Sequence, residues 1–271
     1  MASASALAKL YRASFRANGV VLGDAREYVP GDDVRFINWK VTARMGSPFV
    51  DGIVADRGND IIFAVDVSAS MQFSSRNRSK ISLVADVVSA VARLAEINGD
   101  RVGLVAFSDA IEKFLAPRIA SKIFRYAIAR LACGDRRLQT NVLGALRFLS
   151  GTIKKQSVIV LCCDTFGLSI GRKSILAQLR MLKLKHEVIL ITATDDNDMP
   201  PAGIGKITTE DAETGDIFDI DTDDSVAMEK VRSKYSAYEN LIDGDLSKLG
   251  INNFRINSKD SAESALFALL A

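Results

Sequence analysis

Histidine is almost missing from this sequence: His186 is the only one in 271 residues. It precedes the strand 187–192 and reads as a structural or exposed position, which makes histidine-dependent triads and zinc-hydrolase centres poor candidates for the working chemistry. Cysteine is also scarce. There are three, an odd number, with Cys162 and Cys163 adjacent in an apolar run, which builds no disulfide framework and reads as buried, reduced thiols. Net charge is nearly absent, 35 Lys and Arg against 33 Asp and Glu, so no global field draws the chain onto nucleic acid or an acidic membrane. The strongly apolar runs, residues 61–65 and 158–163, fall far short of the ~20 residues that span a bilayer. The first seven residues lack a charged start followed by a long apolar stretch, and a cytoplasmic protein is the expectation. No phosphate-cradling loop is present. Gly167-Leu168-Ser169-Ile170-Gly171-Arg172-Lys173-Ser174 comes nearest but has neither the order nor the spacing, so any ATP hydrolysis must come from elsewhere.

What is present is an alternation of strand and helix signals from residue 60 onward, the pattern of a parallel sheet covered on both faces. Ile61 to Val65 is a strand ending at Asp66, and Ile81 to Ile97 carries apolar residues at helical spacing. Asn98-Gly99-Asp100 stops that helix. Val102 to Phe107 is the next strand, with Ile111 to Leu115 as an edge hairpin partner. Helices are predicted at about 121–132 and 141–152, a strand at 158–163, a helix at 173–184 and a strand at 187–192. A strand at 217–220 is expected to extend the sheet, followed by a helix over 226–246, a strand at 253–256 and a terminal helix from 261. The fold class is α/β, a doubly wound, mainly parallel sheet. Residues 1–55 read as an N-terminal extension with one amphipathic helix over 6–17, and residues 56–271 as the main domain. The acidic clusters at 195–198 and 219–224 lack calcium-loop spacing and read as solvated loops.

The sharpest motif is Asp66-Val67-Ser68-Ala69-Ser70, where the first strand meets its loop. Binding sites of open parallel sheets form at the carboxyl ends of strands. One carboxylate and two hydroxyls at alternate positions there are hard oxygen donors suited to Mg²⁺ or Mn²⁺. By the same topology Thr140 opens a helix near that edge, and Asp164 closes the strand 158–163. Five oxygen donors from three loops can thus converge. An Asp-x-Ser-x-Ser run is also compatible with a helix cap and turn hydroxyls, so the later Thr and Asp carry much of the weight.

These segments resemble the metal-ion-dependent adhesion site of von Willebrand factor type A domains, whose pattern is Asp-x-Ser-x-Ser, then Thr, then Asp. The resemblance implies Ser68, Ser70 and Thr140 as direct ligands, Asp66 and Asp164 as direct or water-mediated ones, and an open position for a partner's carboxylate. Upstream, Arg26-Glu27-Tyr28-Val29-Pro30-Gly31-Asp32-Asp33-Val34-Arg35-Phe36-Ile37-Asn38-Trp39-Lys40-Val41-Thr42-Ala43-Arg44 contains a tight turn at Pro30-Gly31-Asp32 and a Trp39 that reads as a core or interface anchor. This block resembles the bacterial family of unknown function numbered fifty-eight, in which such a series precedes a type A domain; Asn38 stands where members often carry Asp. The resemblance implies a partner, a MoxR-type AAA+ ATPase, for which members act like adaptors. Within the block Arg26, Tyr28, Asp32, Asp33, Arg35, Trp39 and Arg44 read either as a buried charge network clamping the extension to the sheet or as a direct partner-binding surface.

The functional expectation is a metal-dependent protein-binding adaptor, not an enzyme. The alternative is a magnesium-dependent phosphotransferase with Asp66 as nucleophile. Against it, a haloacid dehalogenase-like phosphatase wants a second acidic residue two places on, where this chain has Ser68.

Overall fold

The computed structural model describes residues 22–32, 34, 37–53, 59–72, 78–119, 122–131, 139–169, 171–198, 203–210 and 217–270. The helix expected over 6–17 lies outside them. Near the N-terminus β1 (Leu22–Glu27) pairs antiparallel with β2 (Phe49–Ile53), and the short helix α1 (Trp39–Met45) lies between them in sequence. Asn38 starts α1 by accepting a hydrogen bond from the Val41 N–H at 3.0 Å. Gly46, at φ 73°, ends it with a left-handed turn that costs a residue without Cβ little. The expected tight turn is present: the Asp32 N–H donates to the Val29 carbonyl at 3.0 Å.

The main body begins with β3 (Asp60–Asp66), the one-turn helix α2 (Ala69–Gln72) and the long α3 (Lys80–Asn98). There follow β4 (Arg101–Phe107), β5 (Ile111–Ile119), α4 (Lys122–Leu131), α5 (Val142–Thr152), β6 (Val158–Asp164), α6 (Arg172–Lys183) and β7 (Glu187–Thr194). The chain then runs through β8 (Lys206–Glu210), β9 (Ile217–Asp221), α7 (Ser225–Lys248), β10 (Asn252–Asn257) and α8 (Ala262–Leu270). Six strands form one sheet in the order β10-β7-β6-β3-β4-β5, parallel except for β5, which runs antiparallel to β4. Every residue of β3 and β6 is buried, as central parallel strands require when helices cover both faces. Alternation along β3 divides the core. Ile61, Phe63 and Val65 face the layer that includes α3, α4 and α8, while Ile62 and Ala64 face α5, α6 and α7. Cys162 and Cys163 are fully buried on opposite faces of β6, as expected of inert thiols.

One expectation is corrected. The strand at 217–220 does not extend the main sheet; β9 pairs antiparallel with β8, which the sequence reading missed, in a separate two-stranded sheet. The reason is visible in β9 itself. Ile217-Phe218-Asp219-Ile220-Asp221 mixes carboxylates into the run, which a strand covered on both faces cannot accommodate, whereas an open hairpin leaves Asp219 free to accept the Thr208 hydroxyl at 2.8 Å.

Candidate functional site

β3 and β6 are neighbours in the sheet, yet their chains leave to opposite faces, β3 toward α3 and β6 toward α6. The crevice where two such connections diverge is where doubly wound sheets bind ligands. Asp66 and Asp164 end these two strands and are both completely buried. Asp66 Oδ1 accepts the Ser68 N–H at 2.8 Å, which fixes the loop, and Oδ2 accepts the Thr140 hydroxyl at 2.5 Å across 74 residues of sequence. The Ser68 and Ser70 hydroxyls stand 3.1 Å apart. Thr140 is carried to the site by the start of α5, capped by Asn141, whose N–H donates to the Ser108 carbonyl at the end of the β4 side of the sheet, 2.7 Å. Asp164 Oδ1 accepts the Gly167 N–H at 2.8 Å. A Cβ at Gly167 would lie 3.2 Å from Val142 Cγ2, so a larger residue there would press on the start of α5, while it would only touch the two carboxylates at ordinary contact distance. All five residues anticipated from the motif are thus brought to one end of the sheet.

The electrostatics are those of an anion-rich pocket. Burial, and then the nearby Asp164 charge, push the Asp66 carboxyl up to about 6. Asp164 Oδ2 is buried without a hydrogen-bond partner among the described residues. The sequence reading missed the one cation placed here among the described residues, Lys80, whose side chain is only 2% exposed. Its Nζ lies 2.7 Å from Asp198 Oδ1 and 3.6 Å from Asp164 Oδ2. Burial holds the Asp198 carboxyl above its ordinary range in spite of that ammonium. The reading of 195–198 as a solvated loop is therefore corrected: Asp198 is an internal counter-ion, and the Asp195 carboxylate is buried against the Ser258 hydroxyl at 2.5 Å. Among the described residues Asp164 lies near the Asp66 charge and shares Lys80 with Asp198, three carboxylates to one ammonium. One divalent cation would cancel the excess of two negative charges, and three hydroxyls plus an orphaned carboxylate oxygen are hard donors for it. The residues fit Mg²⁺ or Mn²⁺.

The N-terminal block is arranged differently from the buried clamp that was one reading of it. Arg26 grips Asp32 with two hydrogen bonds, 2.8 and 2.6 Å, and Asp32 also accepts the Val29 N–H at 2.9 Å; the pair closes the turn at the surface, with Arg26 54% exposed. The Arg26 hydrogen bonds hold the Asp32 carboxyl below its ordinary range. The Tyr28 N–H donates to the Pro48 carbonyl at 2.8 Å, tying the turn to the approach of β2. Arg44 is exposed in the last turn of α1, and Trp39, 71% exposed, is no core anchor because α1 buries none of its residues. Asp33 and Arg35 lie outside the described residues. Trp39→Ala is accordingly expected to change stability by no more than about 0.5 kcal/mol, a shift of under ~2 °C in a thermal melt. A loss of 5 °C or more would return Trp39 to the structural core. His186 is buried beside β7, its ring held below the ordinary range by burial, then by the Lys185 charge, and it is remote in sequence from the five donors.

The conserved hypothetical protein BatB from Bacteroides thetaiotaomicron superposes with a TM-score of 0.50 at 13% identity, over 79% of this chain and 97% of that one. The SpRpn10 VWA domain matches at a TM-score of 0.42 and 14% identity, over 77% of this chain and 93% of the domain. The fold is von Willebrand factor type A-like, a six-stranded, mostly parallel sheet flanked by helices. In sequence the chain is 27% identical over 216 residues to the uncharacterized protein Rv1480 of Mycobacterium tuberculosis (strain ATCC 25618 / H37Rv) and to the uncharacterized protein Mb1516 of Mycobacterium bovis. The match covers 78% of this chain and 66% of each relative's length. The family model described as protein of unknown function DUF58 matches residues 24–240, and the chain belongs to that family.

Proposed function

We propose that the chain is a metal-dependent protein-binding module. Ser68, Ser70 and Thr140 hold Mg²⁺ or Mn²⁺ directly, Asp66 and Asp164 directly or through water, and a carboxylate from a partner protein completes the shell. What supports this most is the pairing of two wholly buried carboxylates with three hydroxyls at the switch point of the sheet, where one ammonium among the described residues leaves negative charge in excess. A cation held largely by neutral hydroxyls stays electron-poor and gains by accepting an anionic ligand from outside. The phosphotransferase alternative is weaker. Both Asp66 oxygens already accept hydrogen bonds, from Ser68 and Thr140, and the carboxylate is fully buried, which suits a positioned ligand better than a nucleophile.

The partner we propose is a MoxR-type AAA+ ATPase or the client that it remodels, a role that comes from the family resemblance. The extension over 1–55, with Arg26, Tyr28, Asp32, Asp33, Arg35, Trp39 and Arg44, offers a second contact surface to the same assembly, and the exposed Trp39 is suited to it. The test joins two measurements. Mg²⁺ should raise the melting temperature by binding the folded state only, and Ser68→Ala with Ser70→Ala should abolish that rise. Affinity for the ATPase should fall at least about tenfold in chelator and equally in the double variant. An unchanged dissociation constant in chelator refutes the metal-bridged contact. Identical melting in metal and chelator refutes the metal site itself.

A further inference from the structure

Beside the metal loop lies a cavity of about 400 Å³ with no part in the site described above. Its floor is apolar, formed by Val67, Leu104, Ala106 and Leu131, and its mouth carries Gln72, Glu112, Lys113, Arg130 and Tyr126. That volume is within the range of sites for small organic groups and has room for one bulky side chain. Wall and metal loop are a single piece of structure: Val67 sits between Asp66 and Ser68, and the Gln72 amide donates to the Val67 carbonyl at 3.3 Å. Across the mouth Tyr126 is 66% exposed, a large aromatic surface left in water, and the Arg130 guanidinium lies 5.9 Å from its ring centre. The mouth is cationic. Arg130 and Lys113 are exposed and have no ion pair with a carboxylate among the described residues; Glu112, which also lines the cavity and accepts the Ser108 hydroxyl at 2.6 Å, offsets one of these two charges and leaves the other in excess.

We infer that this cavity is a docking site for an acidic peptide segment of a partner protein, receiving one bulky apolar side chain while a carboxylate close to it in sequence reaches the metal loop. The cavity's share of the binding stands on its own geometry; the placing of the carboxylate rests on the metal-dependent reading proposed above. Two features favour this occupant. An apolar floor against an exposed Tyr and Arg has the composition of a binding hot spot, and a cationic mouth favours a segment of negative charge over a neutral or basic one. Continuity between the floor and the loop of Ser68 puts both contacts within the span of a few residues of extended peptide.

Random heptapeptides displayed on phage and selected on the immobilised chain in Mg²⁺ test the inference. Enriched peptides should carry Asp or Glu within three positions of Phe, Trp, Leu or Met. Synthetic copies should bind at least about tenfold more weakly to Tyr126→Ala and to Arg130→Glu, exposed positions whose replacement spares the core. Melting temperatures of both variants should match the parent, which separates lost binding from lost folding. Peptides that fail on both variants yet bind unchanged in chelator support the cavity and overturn the metal-bridged reading. Peptides that fail in chelator but bind both variants like the parent overturn the cavity and leave the metal reading standing. No enrichment, or enrichment of basic sequences, overturns the inference as well.

Discussion

In chelator at pH 7.5, Asp66→Asn is expected to melt above the parent chain, by about 5 °C, although it removes a residue at the heart of the site. Asn keeps the shape and an oxygen for the Ser68 N–H and removes the charge that burial and Asp164 make costly. The sign follows from linkage. The folded-state value of Asp66, about 6, lies above the ordinary carboxylate value of 3.8, so the native state holds the proton longer than the unfolded chain. Its contribution to stability is fully present below 3.8 and is lost as pH rises through about 6. The advantage of Asp66→Asn should therefore vanish as the pH is lowered toward 4. Saturating Mg²⁺ should reverse the order at pH 7.5, because only the parent carboxylate gains from the cation. A variant that melts below the parent in chelator at every pH would show that Asp66 holds the loop by charge rather than strains it.

A larger effect, of the opposite sign, is expected at Lys80. Its ammonium is buried between Asp198 and Asp164, and Lys80→Met preserves the stem while leaving two internal carboxylates without a cation. Breaking a buried pair on one side costs about 3–5 kcal/mol, which should lower the melting temperature in chelator by roughly 10 °C. Removing the orphaned charge in Lys80→Met/Asp198→Asn should recover at least half of the loss, and Mg²⁺ should stabilise Lys80→Met more than it stabilises the parent. A Lys80→Met variant that melts like the parent would remove Lys80 from the charge balance of the site.

The strands that carry the site were legible because each is an apolar run ended by Asp, a pattern that fixes burial and strand end together, as at residues 61–66 and 158–164. Thr140 was legible because it stands where a helix opens near the same edge of the sheet, and α5 does begin two residues after it. Lys80 was not. It follows the cap Ser79 at the start of α3, a position where a lysine is ordinarily solvated. What buries it is a loop 118 residues further along the chain, and local pattern holds no record of that meeting. The same loop misled the reading of 195–198, since acidic runs are mostly hydrated unless a distant cation reaches them. β8 was obscured by its mixed polarity, which left β9 legible as a strand but without its partner, and β1 by a register irregularity between Gly23 and Arg26 that interrupts the period of two. Trp39 shows the converse error in one half of its reading: the residue type suggested a core or interface anchor, but a seven-residue helix with no buried residue gives it no core to anchor among the described residues.

The spread of the site along the chain also has a temporal meaning. Asp66 and Thr140 meet across 74 residues and Lys80 and Asp198 across 118, so during synthesis from the N-terminus the pocket cannot close until the segment beyond β7 has left the ribosome. Contacts of such sequence separation form late, after central strands have paired. The cation proposed for this pocket would therefore seed nothing; it would act as a latch on a finished sheet, slowing the escape from the native state without hastening the approach to it.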